Sequence, residues 1–62
     1  MKTLTLPFEK LEFGTFFIDP ITNKEYIKIS DNEAEVVDDR FRNMSIYGLT
    51  YQFGLSEIVI IE

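Results

Sequence analysis

The 62-residue sequence contains no cysteine, no histidine and no tryptophan. Without cysteine no disulfide can stabilise the fold, and without cysteine and histidine a zinc or other transition-metal site is not expected. A domain of this size buries only about 60% of the surface that its unfolded chain exposes, so it needs a dense core or self-association. The sequence therefore predicts one small domain, residues 1–62, that is stabilised by apolar packing.

Basic residues are scarce. Six lysines and arginines stand against eleven acids, which gives a formal net charge of −5. Nucleic-acid binders usually show the opposite balance, because contacts with phosphates supply much of their affinity. Nucleic acid is therefore a disfavoured partner, whereas an acidic surface suits a protein partner with a basic surface.

Long apolar segments are also missing. No run approaches the roughly 20 residues of a membrane span. The first ten residues, MKTLTLPFEK, contain neither the apolar run nor the small-residue cleavage site of a signal peptide. We expect a cytoplasmic protein that does not enter a membrane.

The apolar residues that are present alternate with polar ones in short runs, which predicts strands. In PFEKLEF, however, Phe8 and Leu11 lie three residues apart after Pro7 and permit one helical or 3₁₀ turn. The predicted fold is all-β, a small, strongly bent, five-stranded antiparallel barrel. Its strands are expected near residues 13–18, 25–30, 34–38, 45–53 and 57–61. The fourth of these is expected to place four residues on one side: Tyr47, Leu49, Tyr51 and Phe53.

The first two predicted strands suggest a hairpin with a definite register. If residues whose numbers sum to 43 are paired, Phe16 lies opposite Ile27 and Phe17 lies opposite Tyr26. Phe16 and Phe17 are adjacent, so on a strand they point to opposite faces. In this interpretation Phe16 and Ile27 belong to the core.

Six residues in the first half of the chain follow a recognisable spacing: Phe8, Leu11, Gly14, Phe17, Tyr26 and Lys28. This pattern, F-x-x-L-x-x-G-x-x-F and then Y-x-K, resembles that of short, mostly uncharacterised bacterial and bacteriophage proteins. The resemblance implies an SH3-like small barrel and brings no catalytic role. It also implies that Phe17 is a core residue and leaves Phe16 less constrained, in contrast to the register interpretation.

No catalytic or metal-binding constellation is visible. A serine nucleophile would need a lysine or carboxylate base here, and the three serines fall at turns or strand ends, where turn hydrogen bonding accounts for them. The segment DNEAEVVDD supplies oxygen ligands but lacks the spacing and the glycine of a calcium-binding loop. We therefore expect no enzyme activity, no cofactor and no metal.

Five of the eleven acids lie within nine residues that include no base: Asp31, Glu33, Glu35, Asp38 and Asp39. Because alternate residues of a strand share a face, Asp31, Glu33 and Glu35 are expected to project together. If a macromolecule binds, this segment is predicted to contact its lysines and arginines. The alternative is a solvated face that keeps the protein soluble.

The motif RFRN adds three candidate contact residues. Phe41 lies between Arg40 and Arg42, and arginine and aromatic residues are enriched at protein interfaces. The alternative is that Phe41 covers the core while the two arginines neutralise neighbouring aspartates.

Phe17 and Tyr26 complete the candidate contact residues, as an apolar patch. This patch, a second one at Ile58 and Ile60, or a sheet edge is predicted to offer a route to a homo-oligomer.

Three functions are consistent with these features. The leading hypothesis is a non-catalytic protein-binding module, of the kind of a phage effector or inhibitor that docks on a host protein, and it rests on the acidic surface, the surplus of aromatic residues and the resemblance. The second is an acidic nucleic-acid mimic that occupies a basic channel. The third is a single-stranded nucleic-acid binder that stacks bases on aromatic rings, which the net charge disfavours.

Overall fold

A computed structural model describes residues 4–61. They form six strands: β1 (Leu4–Pro7), β2 (Phe16–Asp19), β3 (Lys24–Lys28), β4 (Glu33–Val36), β5 (Thr50–Gln52) and β6 (Ile58–Ile61). Short 3₁₀ helices span Phe8–Lys10 and Asp39–Phe41. The strands make one antiparallel sheet in the order β1-β6-β2-β3-β4-β5. The prediction of an all-β protein is confirmed, and so is the 3₁₀ turn after Pro7.

The number of strands and the closure of the sheet differ from the sequence prediction. The described residues form six strands, not five, in one sheet that is not closed, with β1 and β5 at its two edges. The first strand was missed because Leu4–Pro7 is only four residues long and its proline indicated a turn. The two ends of the sheet nevertheless approach each other, since Phe8 follows β1, Phe53 follows β5, and their rings stack with centroids 5.0 Å apart.

The longest predicted strand, residues 45–53, is mostly a series of turns. The backbone N–H groups of Tyr47 and Leu49 each donate to a carbonyl three residues back, and Gly48 has a φ of +84°, which residues with a side chain rarely adopt. Only Thr50–Gln52 remains extended. Tyr47 and Leu49 are therefore exposed in turns, Phe53 is buried, and the four alternating residues do not share one side.

The predicted hairpin register is confirmed: Phe16 pairs with Ile27 and Phe17 with Tyr26. The assignment of faces that accompanied it is wrong. The side chains of Phe17 and Tyr26 are 2% and 3% exposed, whereas Phe16 is 55% exposed and Ile27 is half-buried. Pairing fixes which residues share a face, but it does not determine which face is turned inward.

An aromatic cluster forms the centre of the core. The Phe17 ring meets Phe8 edge-on at 5.6 Å, stacks on Tyr26 at 5.6 Å and meets Phe53 edge-on at 5.4 Å. Such pairs contribute about 0.5–1.5 kcal/mol each beyond their buried area. This packing supplies the dense core that a short chain without disulfides needs. The buried apolar residues are Phe8, Leu11, Phe17, Tyr26, Ala34, Val36, Phe53 and Val59.

Lys28 is buried beside this cluster, with only 3% of its surface exposed. Its ammonium donates hydrogen bonds to the carbonyls of Phe8 (3.0 Å) and Leu11 (2.8 Å). It also lies 4.6 Å from the centroid of the Phe8 ring, within range of a cation–π interaction. Because a buried ammonium must be satisfied by hydrogen bonds, Lys28 fixes the 3₁₀ turn that begins at Phe8 to the inner face of β3.

Candidate functional site

The residues of the F-x-x-L-x-x-G-x-x-F and Y-x-K pattern in the first half of the chain have structural roles. Gly14 has a φ of +84°, and its N–H donates to the carbonyl of Lys28 (2.8 Å). The prediction that Phe17 and Tyr26 form a surface patch is wrong, because both rings are enclosed in the aromatic cluster. Neither ring is therefore available to a partner. The other motif residues are also buried: Phe8, Leu11 and Lys28.

Asp38, one of the predicted partner-binding acids, is 5% exposed and has an internal role. Its carboxylate accepts hydrogen bonds from the backbone N–H of Glu25 (3.0 Å) and of Arg40 (3.0 Å). The Arg40 guanidinium, 2.6 Å away, holds the pKa of Asp38 well below its usual range. Asp38 therefore caps the 3₁₀ helix Asp39–Phe41 and ties it to β3, so it is not available to a partner.

The arginines of RFRN bind neighbouring aspartates, as the alternative interpretation of that motif states. Arg40 pairs with Asp38, and Arg42 pairs with Asp39 at 2.9 Å on the exposed surface. Phe41 is half-buried, with its ring centroid 5.4 Å from the Lys24 ammonium. The charges of this segment are therefore largely compensated within the chain.

Glu33 and Glu35 are the acids of the segment that do lie on a strand. Both are half-buried, on the same side of β4, and Glu33 accepts a hydrogen bond from the Ser30 hydroxyl (3.2 Å). Asp31 lies before the strand, in the bend of residues 30–32, and is exposed. The expected row of three carboxylates is therefore a row of two.

Beside these two glutamates the sheet assembles an apolar surface, of which the sequence analysis predicted only the part at Ile58 and Ile60. Phe16 pairs with Ile27, and Ile27 pairs in turn with Glu35. Ile18 pairs with Glu25 on one side and with Ile60 on the other. We call this surface the outer face, and its apolar and acidic members are Pro7, Phe16, Ile18, Ile27, Ile58, Ile60, Glu25, Glu33 and Glu35. The signal for it was the run of consecutive apolar residues in TFFI and EIVII, which places apolar side chains on both sides of a strand.

The outer face combines exposed apolar groups with negative charge. Phe16 and Ile58 remain 55% and 52% exposed. Its outward positions on the six described strands include three glutamates and no lysine or arginine. Arg40 lies near Glu25, but its guanidinium is bound to Asp38 and to the Asn23 carbonyl. Contiguous exposed apolar side chains of this kind mark contact surfaces.

A shallow depression of about 380 Å³ borders the outer face. Its lining residues are Ile18, Asn23, Glu25, Asp38, Asp39 and Arg40. Two of its charged residues, Asp38 and Arg40, are bound to each other. Within residues 4–61 no three acidic, histidine or cysteine side chains are grouped to hold a metal ion, and in the same range no helix is long and apolar enough to cross a membrane.

Comparison with known proteins identifies no relative. No protein-family model, no curated protein and no solved structure matches the chain. Its function is therefore inferred from the geometry of its own surface.

Proposed function

We propose that the protein is a non-catalytic protein-binding module that docks on its partner through the outer face. The observation that carries this proposal is the exposure of Phe16 and Ile58 on the face opposite the core. The aromatic cluster fills the inner side of the sheet without them, so these side chains are not needed for packing. Ile18 and Ile60, a half-buried pair, lie between them on the same face. An exposed apolar surface of this kind is typical of contact sites.

The biological setting follows from the resemblance of the first half of the chain to short bacterial and bacteriophage proteins. We propose a phage-type effector or inhibitor that binds a bacterial host protein. The curled sheet, whose ends meet through Phe8 and Phe53, supports a relation to small SH3-like barrels.

The other two functions have less support. A nucleic-acid mimic needs free carboxylates spread over a surface, but Asp38 is buried and Asp39 is paired with Arg42. A single-stranded nucleic-acid binder stacks bases on exposed rings and needs cations for the phosphates. The main aromatic cluster is inside the fold, and the exposed Phe16 lies on a face whose outward strand positions among residues 4–61 carry no lysine or arginine.

Affinity capture from a bacterial lysate, with the face substituted, tests the proposal. The variant Phe16→Ser/Ile58→Ser removes apolar groups from the outer face at positions that are already exposed, so it should fold normally. We expect the unmodified protein to retain a specific partner. This variant should bind that partner with an affinity lower by about tenfold or more and should therefore fail to retain it.

A matched control separates the face from general surface hydrophobicity. Ile21 and Leu55 are exposed apolar residues outside the outer face, and Ile21→Ser/Leu55→Ser should retain the partner. Equal capture by the Phe16→Ser/Ile58→Ser variant, or no specific capture by the unmodified protein, would contradict the proposal. Melting curves confirm that each variant is folded.

A further inference from the structure

The composition of the outer face defines what kind of protein segment it binds. We propose that the face receives a basic amphipathic helix, which carries a stripe of apolar side chains beside a row of lysines or arginines. This inference rests on the proposed function and adds the chemistry of the partner. It follows from the hydrogen-bonding state of the strands, the dimensions of the face and its charge.

The hydrogen bonding of the sheet excludes docking by strand addition on this face. The strands that carry the outer face's central residues, β6, β2, β3 and β4, each have a neighbouring strand on both sides. Their backbone N–H and C=O groups are therefore directed along the sheet to those neighbours. A partner on the face must bind through side chains, as an amphipathic helix does when it packs its apolar side on an apolar surface.

The dimensions of the face match one helix. Phe16, Ile27 and Glu35 occupy successive strands in register. Neighbouring strands are about 4.8 Å apart, so these residues span about 10 Å, close to the diameter of a helix with its side chains. Glu33 and Glu35 lie about 7 Å apart along β4, within reach of lysines three or four residues apart on a helix.

The charge of the face selects a basic occupant. Glu33 and Glu35 form the border of the apolar stripe, and no outward strand position among residues 4–61 carries a compensating cation. A second copy of the chain would place like charges near one another, which is unfavourable at an interface. A helix with lysines or arginines beside its apolar stripe can pack on the apolar part of the face and pair with the glutamates at its border.

Binding of a synthetic peptide tests this chemistry directly. The probe is a peptide of about 14 residues made of leucine and lysine, with leucines three and four positions apart. Calorimetry measures its affinity, and backbone amide shifts locate its site. We expect binding at the outer face that weakens as salt rises from about 50 to about 300 mM.

Two double variants that change the net charge equally distinguish the charge of the outer face from the overall acidity of the protein. Glu33→Gln/Glu35→Gln should lower the affinity for the peptide by about fivefold or more. The control Glu9→Gln/Glu12→Gln changes the net charge equally at exposed positions off the face and should alter the affinity by less than about twofold. Phe16→Ser/Ile58→Ser should lower the affinity for the peptide by about tenfold.

Three outcomes would overturn the inference: no binding of the leucine–lysine peptide, equal binding of a leucine–glutamine peptide of the same spacing, or shifts confined to the edge strands β1 and β5. Sedimentation that showed a dimer abolished by Phe16→Ser/Ile58→Ser would assign the face to a second copy instead. None of these results would change the outcome of the lysate capture, which tests the proposed function separately.

Discussion

Phe16 and Phe17 are adjacent in the chain and lie on opposite faces of β2. Phe17 is enclosed by Phe8, Tyr26 and Phe53, while Phe16 is exposed on the outer face. The two rings therefore lie in different environments. The inward ring contributes to folding, and the outward ring is available for binding.

Phe17→Ala and Phe16→Ser should differ strongly in their effect on the free energy of unfolding. Phe17→Ala should lower the free energy of unfolding by about 3–5 kcal/mol, because it empties a fully packed site, and a domain this small has little stability beyond that. Phe16→Ser should change it by less than about 0.5 kcal/mol. Urea denaturation followed by circular dichroism measures both. Equal destabilisation by the two substitutions would show that Phe16 also belongs to the core.

Lys28→Met should destabilise the protein although it removes a buried charge. The substitution keeps an unbranched chain but leaves the carbonyls of Phe8 and Leu11 without the ammonium. We expect a loss of about 1–3 kcal/mol, the cost of leaving buried acceptors without a donor. Thermal and urea denaturation test this. A more stable Lys28→Met variant would mean that the cost of burying the ammonium exceeds its hydrogen bonds.

Gly14→Ala should destabilise the protein through the backbone alone. A Cβ at position 14 would meet no atom within 4 Å, but φ is +84° there. A residue with a side chain pays about 1–2 kcal/mol in this region, and asparagine tolerates it better than alanine. We therefore expect Gly14→Ala to cost about that amount and Gly14→Asn to cost less. If Gly14→Ala were as stable as the unmodified protein, the fold would not require a positive φ at position 14.

Asp38 should make the protein sensitive to acid. Its pKa is lower in the folded protein than in the unfolded chain, chiefly because Arg40 donates hydrogen bonds to the carboxylate. Its contribution to stability is therefore fully present above the unfolded value of about 4, and it is lost as the pH falls from there through the folded value.

The variant Asp38→Asn isolates this contribution. It should be less stable than the unmodified protein at pH 7, by about 1–3 kcal/mol, and the difference should shrink as the pH falls below about 4. Urea denaturation at several pH values provides the measurement, with Asp31→Asn, an exposed acid in a bend, as the control. A difference that stays constant with pH would contradict the role of the charged carboxylate.

The sequence by itself determined the features that depend on local patterns. Alternation with a period of two indicated the all-β class, the spacing of Phe8 and Leu11 after Pro7 indicated the 3₁₀ turn, and the arrangement of the first hairpin indicated the pairing of Phe17 with Tyr26. These features follow from the geometry of neighbouring residues, which a single sequence displays directly.

Only the tertiary structure decided which side of each strand is buried. Alternation is symmetric between the two faces, so it is compatible with either Phe16 or Phe17 inside. The choice is made by long-range contacts, such as those of Phe17 with Phe53 and the pairing of Ile18 with Ile60. The same contacts leave a second apolar surface outside, and for this reason the outer face appears only when β6, β2, β3 and β4 are placed side by side.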